Sequence, residues 1–207
     1  MIVPLLVLLS LAVPPKDPLS AALERYEDVS SYRVTLRSRH GTEEEVIRYY
    51  YKKPGFVRME FIKPHGGALL VYDPATRAVR LRPFGFLPSF VLTLSPGNSL
   101  VKSASGHRVD ESDIGSLLRQ VKRLREHGTF VPAGEDTVGG KEALVVCVEG
   151  NKGVSLEGIH RYLIWFDKAT QLPLKTATFD SSGNPVEEVL MDDLEVNIPL
   201  RDSLFRL

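Results

Sequence analysis

Short segments in which apolar and polar residues alternate with a period of two dominate this chain. They fall into two groups, residues 31–81 and residues 142–196. Turn-forming pairs such as His40-Gly41 and Asp73-Pro74 separate neighbouring segments. Because the connections are short, successive segments can pair only as antiparallel hairpins. The alternation therefore predicts a large antiparallel sheet.

Two segments depart from this period and predict helices. The first, residues 18–29, begins at Asp17-Pro18, a pair that suits an N-cap followed by a first-turn proline. The second, residues 110–128, carries one apolar stripe, with acids near its start and bases near its end. Gly128 is expected to end this second helix.

Both helices are expected to cover the apolar face of the sheet, because a half-apolar sheet must bury that face. One strongly curved sheet over two helices needs fewer elements than a sandwich of two sheets. The predicted fold class is therefore mainly β, of the α+β type, with residues 18–207 as a single domain. The space between sheet and helices is either a packed core or a ligand cavity, and the sequence favours neither.

The alternation also predicts which side chains point into that space, where they fill a core or line an apolar cavity. Their sequence neighbours, among them Arg33, Arg58 and Glu60, are expected to face water. The inward candidates are Val34, Leu36, Tyr49, Tyr51, Val57, Met59, Phe61, Leu69, Val71, Tyr162, Ile164 and Phe166.

The most unusual segment is residues 83–101, 19 residues without a charge. Glycines and prolines interrupt it, so it cannot form a membrane-spanning helix. One interpretation is a buried strand with apolar loops. The other is an apolar flap in which Phe84, Phe86, Phe90 and Leu92 line or cover a ligand pocket.

Composition and motifs exclude several classes of function. Lys plus Arg number 26 and Asp plus Glu number 26, so the chain lacks the basic excess of a nucleic-acid binder. The single cysteine, Cys147, excludes an intrachain disulfide and a cysteine zinc site. The sequence holds no HExxH, no GxSxG elbow and no phosphate-binding loop. We therefore expect no metal, no cofactor and no catalysis.

The chain opens with an apolar run that ends before Pro14-Pro15-Lys16. The run is too short to span a bilayer, which needs about 20 apolar residues. Small residues at Ser10 and Ala12 suit the −3 and −1 positions of a cleavage site, although no basic residue precedes the run. Residues 1–12 are therefore predicted to be a signal peptide or a retained inner-membrane tether, which places the protein in the periplasm.

Several segments resemble the periplasmic lipoprotein-carrier superfamily of LolA, LolB and RseB type. A Lys-Pro-Gly hairpin pattern followed by strand-and-turn patterns carries the resemblance, which extends over residues 21–207. The matching segments are residues 53–61 with Pro64, 70–74, 164–167, 172–175, 193–199 and 203–205.

The resemblance implies an open, incomplete antiparallel barrel lidded by helices, with an apolar cavity that holds acyl chains without catalysis. The implied partners are an acylated lipoprotein or a lipid, together with inner- or outer-membrane envelope proteins. Two departures stand out. LolB-type members are lipoproteins, whereas no cysteine follows the apolar run here. LolA-type members hold the lid with a buried arginine, and no residue of this chain is assigned to that role.

Two hypotheses of function follow. The first is a carrier of lipoproteins or lipids, and the second is a structural or regulatory envelope protein with the same fold, as in RseB-like members. An enzyme is a third hypothesis that no polar cluster supports. Carrier and interaction protein differ in one observable: a carrier has an apolar cavity of hundreds of cubic ångströms, on the order of a ligand pocket, and an interaction protein has a full core.

Overall fold

The two halves of the sheet meet in the middle of a single antiparallel layer, where the first strand pairs with the last. The computed structural model describes residues 17–103 and 106–207, so the predicted signal segment lies outside the described residues. Within them, 11 strands form one curved, unclosed sheet, as the alternation predicted. The strand order is β6-β5-β4-β3-β2-β1-β11-β10-β9-β8-β7, which leaves β6 and β7 as the edges.

The six strands of the N-terminal half are consecutive hairpins. They are β1 Ser31–His40, β2 Glu43–Lys52, β3 Phe56–Lys63, β4 Leu69–Asp73, β5 Ala78–Arg82 and β6 Leu92–Leu94. The C-terminal half follows the second helix. Its strands are β7 Gly128–Val138, β8 Lys141–Gly150, β9 Arg161–Asp167, β10 Pro173–Phe179 and β11 Pro185–Val196.

The predicted helices are present as α1 Pro18–Glu27 and α2 Ile114–Glu126. Each begins at an aspartate N-cap, whose carboxylate accepts a hydrogen bond from a backbone N–H three residues on: Asp17 from Ser20 at 3.0 Å and Asp113 from Ser116 at 3.2 Å. A short 3-10 helix, Val109–Glu111, precedes α2.

Gly128 does not end the helix as a left-handed cap. It is the first residue of β7, and a Cβ there would lie 2.1 Å from the Glu149 carbonyl oxygen of β8. Glycine is required because two backbones approach closely at this point. The alternation did not predict strand β7, because β7 is an exposed edge strand with little apolar periodicity.

The core lies between the concave face of the sheet and α2. Helix α2 contacts α1, β7 and β8, and its Leu118, Val121 and Leu124 are fully buried. The predicted inward residues that are buried in this core are Val34, Tyr49, Tyr51, Val57, Tyr162, Ile164 and Phe166. Leu36, Met59 and Phe61 pack against its margin and are half-buried.

The prediction for β4 is wrong by one residue. Leu69 faces Glu60 and Val71 faces Arg58 across the β3–β4 pair, so both lie on the outer, convex face. Leu70 and Tyr72 occupy the core instead. The strand shows no alternation because both of its faces are buried.

The outer face of β4 is buried because the end of the chain crosses it. We call residues 198–207 the C-terminal strap. It contains a 3-10 helix, Asp202–Phe205, which contacts β3 and β4 and places the Phe205 ring 5.7 Å from that of Phe56.

Side chains on four strands donate hydrogen bonds to oxygens of the strap. The Ser31 hydroxyl donates to the Ile198 carbonyl oxygen at 2.6 Å, and the Lys52 ammonium donates to that of Leu200 at 3.1 Å. Further along, the Arg58 guanidinium donates to the Leu204 carbonyl oxygen at 2.8 Å, and the Arg80 guanidinium donates to that of Leu207 at 3.2 Å. Arg58 therefore lies on the outer face as predicted, but the strap covers it and only 16% of its side chain is exposed.

Gly115→Ala is expected to destabilise the protein by about 1–3 kcal/mol. An added Cβ would lie 2.2 Å from a ring carbon of Tyr26, and that ring is buried and cannot move aside. The measurement is urea unfolding followed by circular dichroism. Gly97→Ala is the matched control, since nothing lies within 4 Å of a Cβ at that position. Equal stability of the two variants would contradict the close packing of α2 on α1.

Phe205→Ala is expected to cost about 3–5 kcal/mol, because it empties the contact between strap and sheet. Phe86→Ala serves as the control, since Phe86 is exposed and its loss should change stability by less than about 0.5 kcal/mol. Thermal unfolding of the two variants side by side measures the difference. A Phe205→Ala variant as stable as the control would show that the strap contributes little to the fold.

Candidate functional site

The concave face of the sheet is the surface that the sequence marks for ligand binding, and it has two parts. Beneath α2 the face is covered. The large side chains there include Tyr32, Tyr49, Tyr162 and Phe166, and none of these is more than 2% exposed to solvent. Side chains this inaccessible leave no room for a ligand between helix and sheet.

Three tyrosines, which we call the tyrosine cluster (Tyr26, Tyr32 and Tyr49), hold the start of α2 over the sheet. The Tyr26 hydroxyl donates to the Asp113 carboxylate at 2.7 Å. The Tyr32 hydroxyl accepts from the Ile114 N–H at 3.1 Å, and those of Tyr49 and Ser112 are 3.0 Å apart. The helix is thus attached to the apolar face at a few polar points.

Burial raises the pKa of each tyrosine hydroxyl in the cluster, and the nearby Asp113 carboxylate raises it further for Tyr26. The hydroxyls therefore stay protonated over the physiological range and keep their hydrogen bonds. Arg119 lies 3.7 Å from Asp113 and offsets its charge.

The resemblance raised the question of a buried arginine that holds the lid. Among the buried polar residues in the part of the chain that the structure describes, none is an arginine; they are Ser31, Asp113, Gln120, Asp167, Thr176 and Thr178. In this chain tyrosine hydroxyls and an aspartate hold the helix.

A partly covered margin of the concave face is what we call the concave strip: Leu36, Met59 and Phe61. In register, Leu36 faces Ile47 and Ile47 faces Phe61, while Met59 lies in the adjacent row. All three strip residues are half-buried and pack against the core margin. The strip offers apolar contact to a ligand that lies on the surface.

The strip ends in acidic side chains. Glu45 of β2 lies in the next row along the strand, and its charge is close to that of Glu187 on β11. His107, from the segment before α2, lies 3.8 Å from Glu187 and 3.7 Å from Glu157. Partial burial, together with the charge of Glu187, raises the pKa of Glu45.

Two surface clefts lie away from the concave face. The larger, about 340 Å³, lies between the helices and is lined by residues such as Leu19, Leu23, Lys122 and Arg125. The smaller, about 170 Å³, is polar and lies near Asp136. Neither includes a residue of the concave strip.

The predicted flap is divided by the structure. Leu92 belongs to β6 and packs against the core. Phe84, Phe86 and Phe90 lie in the loop before it and are exposed, on the outside of the core that they were expected to cover.

Among residues 17–103 and 106–207, no three His, Cys, Asp or Glu side chains lie close enough to hold a metal ion. Burial raises the pKa of the Cys147 thiol, which disfavours the thiolate needed for a nucleophile. No helix in the same residues is long and apolar enough to cross a membrane.

An open antiparallel sheet closed on one side by helices is the fold of the LolA/LolB/RseB-like superfamily. Within it, the chain belongs to the MucB/RseB family, since the sequence model of the MucB/RseB N-terminal domain matches residues 91–206. No curated protein matches the chain in sequence.

Solved structures with this fold have little sequence in common with the chain. An uncharacterized conserved protein from Thermus thermophilus has a TM-score of 0.58 at 15% identity, covering 92% of this chain and 94% of its own. The Pseudomonas aeruginosa MucA/MucB complex has a TM-score of 0.51 at 19% sequence identity, and the match covers 92% of this chain and 59% of the other. Mycobacterium tuberculosis lipoprotein LppX has a TM-score of 0.52 at 7% sequence identity, and the match covers 89% of this chain and 95% of LppX. The chain thus spans about three fifths of MucB.

Sequence reasoning missed the tyrosine cluster and the strap. Tyr49 was recognised as an inward residue, but its hydroxyl partner Ser112 lies 63 positions away. The sequence features that could have indicated the cluster are the alternating tyrosines on β1 and β2 and the Ser-Asp pair at the start of α2.

Glu45→Gln is expected to raise the melting temperature at pH 7 and to change it little at pH 4. Because the folded pKa lies above the unfolded one, the stability contributed by the neutral carboxyl is lost as pH rises through the folded pKa. Glutamine removes that ionisation. Glu43→Gln, on the same strand and exposed, is the control. A gain that is equal at both pH values would contradict the raised pKa.

Proposed function

We propose that this protein is a non-catalytic binding protein of the cell envelope that recognises a segment of another envelope protein. The observation that carries the proposal is the filled concave face. Helix α2 and the side chains beneath it leave no room for an acyl chain, so recognition has to use the surface beside the helix.

The concave strip is the binding surface that we assign to this function. Leu36, Met59 and Phe61 provide half-buried apolar area next to the covered core, and Glu45 and Glu187 add negative charge at one end. A complementary segment would place two or three apolar side chains on the strip and a lysine or arginine near the glutamates.

Family membership supports a protein partner. The MucB/RseB domain is the family of the chain, and a solved structure of that family is a MucB complex with MucA(peri). In this proposal the apolar opening run, residues 1–12, exports the chain to the periplasm or tethers it to the inner membrane. Residues 18–207 act there as one domain.

A second candidate is acyl carriage, and the tyrosine cluster favours it. Separating α2 from the sheet would break the hydrogen bonds of this cluster and expose the apolar stripe of the helix, a cost that an acyl chain in its place would offset. Each buried methylene contributes about 0.8 kcal/mol, and ten contribute about 8 kcal/mol before the cost of association. This mode of binding requires α2 to leave the sheet.

Site-specific photo-crosslinking in intact cells distinguishes the two candidates. A benzoyl-phenylalanine replaces Phe61 on the concave strip or, as the matched control, Ile62, the next residue, which is exposed where the β2–β3 register shifts. We expect a discrete adduct with one envelope protein at position 61 and none at position 62. Native mass spectrometry of the purified protein is expected to show no bound lipid.

A synthetic peptide with the crosslinked sequence then tests the site directly. It should bind the purified protein, and Phe61→Asp should weaken binding at least about tenfold. Leu36→Asn probes the same strip if Phe61→Asp fails to fold. A stoichiometric lipid in the mass spectrum would overturn the proposal in favour of acyl carriage, and adducts that are equal at positions 61 and 62 would exclude the strip.

A further inference from the structure

The apolar surface that the core does not use is concentrated in one place. We call residues 83–91 the phenylalanine loop. Eight large apolar residues are exposed in the part of the chain that the structure describes, and five of them lie in this loop. Phe86 is 79% exposed, and Phe84 and Phe90 are each 46% exposed. Exposed apolar patches of this kind mark contact surfaces.

The loop has a defined conformation that presents its rings together. The ring of Phe84 is 5.5 Å from that of Phe86 and 6.4 Å from that of Phe90. Backbone hydrogen bonds from Leu87 to Phe84 and from Phe90 to Leu87 form two successive turns. The loop is therefore internally hydrogen-bonded and needs no strand from a partner.

The loop also packs against the turn between β3 and β4. A Cβ on Gly85 would lie 3.1 Å from the Cα of Gly67, in the turn between β3 and β4. Two glycines thus let the two backbones touch. The loop therefore lies beside the β3–β4 turn, which follows Lys63 and contains His65.

Basic residues lie next to the loop in sequence and beside the neighbouring turn. Residues 74–109 contain five arginines and lysines and no acid, and one of the five, Arg108, forms an ion pair with Asp110 at 2.7 Å. Arg82 directly precedes the loop and Lys102 follows β6. The acids at this end of the sheet lie on β2, and one of them, Glu44, is 3.9 Å from Lys63.

We propose that the phenylalanine loop docks onto the surface of an anionic lipid bilayer. Aromatic rings on a turn suit the interface between acyl chains and head groups, and basic residues beside them suit anionic head groups. A protein partner would have to supply a cavity for three adjacent rings, whereas a bilayer accepts them without one. This surface differs from the concave strip and goes beyond the function proposed above.

Tryptophan fluorescence locates the loop relative to the bilayer. Phe86→Trp is made in the full chain in a Trp165→Phe background, so that position 86 carries the single tryptophan. Vesicles contain phosphatidylcholine and phosphatidylglycerol in equal parts, with bromine on the acyl chains. We expect a blue-shifted emission that the brominated lipid quenches. Because the readout is local, membrane binding by residues 1–13 does not imitate it.

Val131→Trp in the same background is the matched control, since Val131 is an exposed apolar residue on β7. It should show no quenching, and Phe90→Asp added to the Phe86→Trp variant should reduce quenching about tenfold or more. Quenching that is equal in phosphatidylcholine vesicles would overturn the role of the basic residues. An unquenched position 86 would overturn the proposal; if sedimentation then shows self-association that Phe86→Asp abolishes, the loop binds a second copy of the chain.

Discussion

The pairing of β1 with β11 joins the two halves of the sheet, and every other element depends on it. Ser31–His40 and Pro185–Val196 pair over most of their length although about 150 residues separate them in sequence. Arg37 and Asp192 form an ion pair across this junction at 2.6 Å. Near its end the register shifts, Asp193 has a φ of 53°, and the strand bends there. Without this pairing, neither half would face α2.

The curved sheet limits what the concave face can do. Its central side chains are large and fully buried, and α2 occupies the remaining space. A protein with this arrangement binds at its margins, unless the helix leaves. The concave strip and the phenylalanine loop are margins of different chemistry. One combines half-buried apolar residues with acids, and the other combines exposed rings with bases.

How far the sequence predicts the structure depends on how many faces of an element are buried. Alternation identified β1, β2, β3 and β9 correctly because one face of each packs on the core and the other does not. It failed at Leu69 and Val71, since the strap covers the second face of β4. It also missed β7, since an exposed edge strand carries little apolar periodicity. The tyrosine cluster was beyond reach, because its hydrogen bonds join residues far apart in sequence.

The C-terminal strap has a mechanical consequence. It is anchored on β1, β2, β3 and β5 along the convex surface, so bending that part of the sheet would change the spacing between its anchors. These hydrogen bonds are therefore expected to resist bending of the N-terminal half. In the residues described here the strap does not donate to or accept from β8, β9 or β10, so we expect bending to be easier in the C-terminal half, whose strands β7 and β8 contact α2.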